Sequence, residues 1–178
     1  RLLAEKTRLS EVPLKDLVAS LAKRPPETVP GTAVFLTSDS ESAPTALLHS
    51  LKHYKVLHDR NVILTVKGAT VPVVEEQRRL KIEQLSDRFW RIEASFGFME
   101  NPNVPAMLLS IPKSEMSFSM MDTSFFLSRR SVRASKYQGM PVWQDKLFIM
   151  MAKNANDASS YFRLPPGRVI EVGSQVTV

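Results

Sequence analysis

Leu14, Leu17, Val18 and Leu21 recur at the spacing of one helix face, and Arg24-Pro25-Pro26-Glu27 stops that helix and begins a stiff linker. Residues 1–30 therefore read as an arm with a short helix, leading into a body over 31–178. From Thr32 the pattern changes. Thr32 to Thr37 reads as a buried strand, and Ala46, Leu47, Leu48, Leu51 and Tyr54 mark a helix that Ser42 is placed to cap. Asn61 to Val66 follows as a second strand. Two apolar strands around a helix make a βαβ unit, so a parallel pair with a right-handed crossover is expected.

In the middle, Arg79 to Leu85 and Phe89 to Phe98 alternate polar and apolar at period two across the turn-like Ser86-Asp87-Arg88, which predicts an antiparallel hairpin. Asn101-Pro102-Asn103-Val104-Pro105 has the chemistry of a helix start, for a short helix through Ile111, and Ser124 to Leu127 is β-rich. A helix from Pro141 or Val142 to about Asn154 would carry Trp143, Leu147, Phe148 and Met151 on one face. A shorter one, Asp157 to Phe162, runs up to the Pro165-Pro166 stop, and Arg168 to Val178 reads as a closing strand. The fold class is α/β (mixed α+β), with a βαβ start and a mixed parallel/antiparallel sheet flanked by helices.

At 178 residues and 43% hydrophobic content, the chain can bury a proper core, and its longest apolar run, Leu147 to Ala152, is far too short for a membrane helix. It contains no cysteine, which excludes disulfides and thiolate metal sites and fits a reducing cytosolic interior. It opens on Arg1 rather than methionine, so a longer parent chain is expected. The 24 basic and 18 acidic residues give a net charge of +6, which raises nucleic acid, an anionic membrane surface or a nucleotide as partners. The clusters Arg78-Arg79-Lys81 and Arg129-Arg130 with Arg133 and Lys136 lack the dense basic helix or aromatic platform of a nucleic-acid reader, so no nucleic acid is expected and solvated faces are the simpler reading.

The groupings that could carry chemistry are sparse. His49 and His53 are one helical turn apart with His58 nearby, but Lys52 and Lys55 raise the local positive potential and the nearest carboxylate, Asp59, lies beyond the helix. No metal site is expected. The loop Ser38-Asp39-Ser40-Glu41-Ser42 sits between the first strand and its helix, where open α/β sheets hold phosphates. It has no glycine and no P-loop lysine, and Asp39 and Glu41 would repel an anion, so a capped turn is the competing reading. Glu75-Glu76 is an adjacent pair whose side chains should diverge, and Ser, His and Asp fall into no defensible catalytic spacing. No catalytic residue, cofactor or enzyme activity is expected. Met116, Met120, Met121, Met140, Met150 and Met151 could fill the core or present an adaptable surface for a partner, including a second copy of the chain.

Several long strings carry a resemblance. They are Val29-Pro30-Gly31-Thr32-Ala33-Val34-Phe35-Leu36, Leu47-Leu48-His49-Ser50-Leu51-Lys52-His53, Val56-Leu57-His58-Asp59-Arg60 and Phe96-Gly97-Phe98-Met99-Glu100. Further on come Met121-Asp122-Thr123-Ser124-Phe125-Phe126-Leu127-Ser128-Arg129, then Gly139-Met140 with Trp143, then Phe162-Arg163-Leu164-Pro165-Pro166. In this order they resemble the closing cytosolic domain of the Kup/HAK/KT potassium uptake transporters, from Pro30 to Val178. Asp59, Arg130, Pro141 and Gly167 depart from the family's usual residues. The resemblance implies a regulatory and dimerisation domain at the cytoplasmic face of a bacterial inner membrane, in a multi-pass K+/H+ symporter. K+ and H+ would be handled by the transmembrane part outside this chain, which would also be a partner of this domain. It also implies regulation by cyclic di-AMP in some members, with no residue motif that maps the site. The alternative is a free-standing α/β module that senses a cyclic dinucleotide or adenine nucleotide.

Overall fold

The run Thr32–Thr37 forms the second half of the strand on which the sheet is built. In the computed structural model, which describes residues 12–133 and 158–177, this strand is β1, Glu27–Thr37. Its residues 32–36 are buried on both faces, as an interior parallel strand requires. Helix α1, Leu14–Lys23, comes before it. Helix α2, Thr45–His53, leads to β2, Val56–Gly68, which pairs in parallel with β1 from Glu27↔Val56 to Thr37↔Thr65.

A four-residue helix α3, Glu76–Arg79, opens the expected hairpin of β3, Leu80–Ser86, and β4, Phe89–Phe96, which pair antiparallel. The Asn103 carboxamide oxygen accepts the Ala106 N–H at 3.0 Å and caps α4, Val104–Ser110. Strand β5, Thr123–Arg133, then helix α5, Ala158–Tyr161, and strand β6, Val169–Thr177, complete the order. Among the described residues the sheet has six strands in the order β3-β4-β2-β1-β5-β6, and of these only β3 runs against its neighbour.

Alternation along the strands divides the core into two. Val34, Leu36, Val62, Leu64, Ile92 and Phe125 pack under α4 with Met107, Leu108, Ile111 and Met116. Ala33, Phe35, Ile63, Phe89 and Phe126 pack under α1 and α2 with Leu14, Val18, Ala46 and Leu47. Both strands of the βαβ unit are longer than the sequence pattern suggests. In β1 the pairing register shifts between Val29 and Thr32, so Pro30 and Gly31 hide the first half of the strand.

The expected cap on α2 needs correction. Pro44 stands at the N-cap with no side-chain bond, and the Ser42 hydroxyl donates instead to Asp39 at 2.6 Å. Ser128, brought across from β5, accepts the Ala46 N–H at 3.1 Å. The helix expected from Pro141 or Val142 to Asn154 lies outside the described residues, as do Lys136, Met140, Met150 and Met151.

Candidate functional site

Strand order reverses at β1, with β2 on one side and β5 on the other, and open α/β sheets open a crevice beyond the carboxyl ends of strands at such a point. A crevice of about 540 Å³ lies there, lined among others by Thr37, Ser38, Asp39, Thr45, Ser128 and Phe162. The Ser38–Ser42 loop forms one wall, and its polar groups turn inward. Asp39 accepts the Glu41 N–H at 3.0 Å and the Ser42 hydroxyl at 2.6 Å, and its own N–H donates to the Thr37 hydroxyl at 3.2 Å. The loop is a self-bonded turn. The same wall anchors the start of the described chain: Leu14 N–H donates to the Glu41 carbonyl, and Ala43 N–H to the Val12 carbonyl, both at 2.8 Å.

Behind the loop sits a charged network that the sequence did not reveal. Arg91 of β4 is buried, pairs with Glu41 and with Glu83 at 3.1 Å, and donates to the Ser40 carbonyl at 3.3 Å. Beside it, Glu93 meets Lys67 at 3.0 Å and accepts the Ser40 hydroxyl at 2.8 Å. Hydrogen bonds from Lys67 and then Ser40 hold the Glu93 carboxyl below its ordinary range. The available signal was a charge at Arg91, between Phe89 and Ile92 in a strand that is interior to the sheet.

A second pocket, about 480 Å³, opens at the amino edge of the sheet, lined by Gly31, His58, Arg60, Ser119, Asp122 and Arg168 among others. The β1 bulge shapes it. Gly31 has φ 106°, and a Cβ on it would stand 2.8 Å from the Asp122 carbonyl oxygen. The Arg60 guanidinium donates to the Ser117 carbonyl at 2.6 Å. Burial lowers the His58 pKa, against the opposing pull of Asp59.

The other candidates are dispersed. His49 and His53 lie with ring centroids 5.6 Å apart on α2, while His58 is on β2 with its ring edge-on to Phe126 at 5.9 Å. Among the described residues, no three His, Asp or Glu side chains form a metal-ligating set. Glu75 and Glu76 sit at the start of α3, where Glu75 meets Arg78 at 3.8 Å. Arg79 pairs with Glu100 at 2.7 Å, and Arg129 with Glu171 at 3.5 Å. Met116 is core, Met120 packs against it, and Met121 is exposed.

The family model for the K+ potassium transporter C-terminal domain matches residues 30–178. The chain belongs to that family. This K+ potassium transporter C-terminal domain is 58% identical over 178 residues to a probable potassium transport system protein Kup 3 of a Bradyrhizobium species. It is 57% identical over 178 residues to a probable Kup 2 of Mesorhizobium japonicum and 55% identical over 178 residues to a probable Kup of Brucella abortus. Each alignment covers 100% of the chain but only 28%, 28% and 27% of those relatives. The family match starts inside β1, and the relatives extend the similarity through α1. No solved structure matches the domain. No described helix is long and apolar enough to cross a membrane.

Proposed function

We propose that this chain is the regulatory and dimerisation domain of a potassium uptake transporter, at the cytoplasmic face of the bacterial inner membrane. The membrane part would carry K+/H+ symport, and residues 1–30 would be the connecting arm, with α1 packed on the 31–178 body. The observation that carries this reading is identity of 55–58% across the whole chain to proteins named as potassium transport systems, of which it spans little more than a quarter. A regulatory role gains support from the arm's attachment. Val12 and Leu14 bond to the loop that walls the crevice, so a ligand that displaces Glu41 to Ala43 would be felt where the chain arrives.

Regulation requires a ligand that binds the transport states with different affinity. For a cyclic dinucleotide or adenine nucleotide, the crevice offers the topology, and the amino-edge pocket offers the guanidinium groups of Arg60 and Arg168. Potassium or rubidium uptake tests the reading, in cells lacking their own systems, with the full-length parent compared with a version truncated before Arg1 at equal membrane abundance. Uptake that is lost or deregulated on truncation supports it. A well-expressed parent with no uptake overturns it and leaves the free-standing module. A thermal shift against cyclic dinucleotides, ATP and AMP tests the ligand, with about 2.7 kcal/mol of added stability expected at 100 times the dissociation constant.

A further inference from the structure

The loops that follow β2 and β4 build a rigid apolar knob at the carboxyl edge of the sheet. Val71 and Val73 in the first loop are 46% and 62% exposed, and Phe98 and Met99 in the second are 68% and 73% exposed. Backbone bonds lock the loops together: Phe98 N–H donates to the Val71 carbonyl and Met99 N–H to the Pro72 carbonyl, each at 3.0 Å. Gly97 permits the close approach, since a Cβ there would stand 2.2 Å from the Pro72 carbonyl oxygen. Under the knob, the Glu100 carboxylate accepts the Gly97 N–H at 2.6 Å, the Val74 N–H at 3.0 Å and the Arg79 guanidinium at 2.7 Å. Arg79 also donates to the Val74 carbonyl at 2.9 Å and covers the Phe96 ring at 4.9 Å. A charge-assisted frame thus holds four apolar side chains in water, and clustered exposed apolar groups of this kind mark interaction sites.

We propose that the knob docks on the membrane part of the transporter, in an apolar pocket with a basic rim on the surface facing this domain. The inference rests on the reading under Proposed function and adds the surface through which the two parts meet. Three observations select this partner. The first described residues lie at the same edge, because Val12 and Leu14 bond to the loop just beyond β1, and β1, β2 and β4 are successive neighbours about 5 Å apart. The Kup relatives carry most of their length outside the matched span. The exposed Glu76 follows the knob directly, beside a Glu75 met by Arg78 at 3.8 Å, and complements the Lys/Arg-rich loops at the cytoplasmic ends of membrane helices. Glu76 also disfavours an anionic lipid surface.

The test places a photo-crosslinking amino acid at Phe98 of the full-length protein in native membranes and maps the products by mass spectrometry. Crosslinks to loops of the membrane part are expected, and a second probe at Val73 should lose at least fivefold in yield when Phe98→Ser and Met99→Ser are combined. Because both side chains are exposed, the double variant of the 178-residue chain should melt at the parent temperature. Crosslinks only to lipid, only to the soluble domain of a second copy, or to nothing would overturn the proposal. Rubidium uptake measured on the same protein separates the two readings: docking without uptake overturns the transport function alone, and uptake without docking overturns this inference alone.

Discussion

Glu100 shows how one side chain can set the geometry of two loops. Its carboxyl is drawn from 4.5 down to about 2, first by the Arg79 hydrogen bond and then by the N–H groups of Gly97 and Val74. In the unfolded chain these partners are gone and the value returns to the ordinary range. The folded state therefore favours the ionised form, giving stability that is present above about pH 4.5 and lost as pH falls through about 2. Glu100→Gln should be less stable than the parent at pH 7, and urea titrations at successive pH values should show the gap closing between pH 4.5 and 2. The residue stood in view at the end of Phe96-Gly97-Phe98-Met99-Glu100, but its role was not legible. Its donors come from two loops and from α3, and two of them, Val74 and Arg79, are 26 and 21 residues away.

At the scale of elements, apolar runs located β1 and β2, helix-start chemistry located α4, and periodicity located α2 and the β3–β4 hairpin. It was blind to contacts between distant elements. Ser42 is the obvious N-terminal cap for α2 by sequence distance, yet Ser128 supplies it from 82 residues away, because β5 lies beside β1. Ser128→Ala should cost about 1 kcal/mol in chemical denaturation, the usual loss for a missing cap. Arg91 was hidden for the same reason. Its partner Glu83 sits opposite it in the expected hairpin, but Glu41 lies on a loop 50 residues away, which only the tertiary fold brings close. The crevice was partly foreseeable, since the loop after a first βα strand is where such folds open. The amino-edge pocket was not, because its lining comes from four separate stretches of chain.

At the scale of the whole molecule, α1 belongs to the folded body in packing terms: Leu14 and Val18 are buried among Phe35, Leu47 and Phe126. Leu14→Ala should cost about 2–5 kcal/mol in global unfolding measured by denaturant, as for other buried leucines, whereas a loose tether would show almost no change. The position of β1 at the centre of the sheet also bears on synthesis. Its Val34–Leu36 stretch leaves the ribosome ahead of one neighbour, since the strand that covers its far side begins only at Thr123. At about 5–20 residues per second, the roughly 90 residues between them take on the order of 5 to 18 s to make. For that interval one side of an apolar central strand has no neighbour, so every nascent copy passes through a state open to mispairing with another chain.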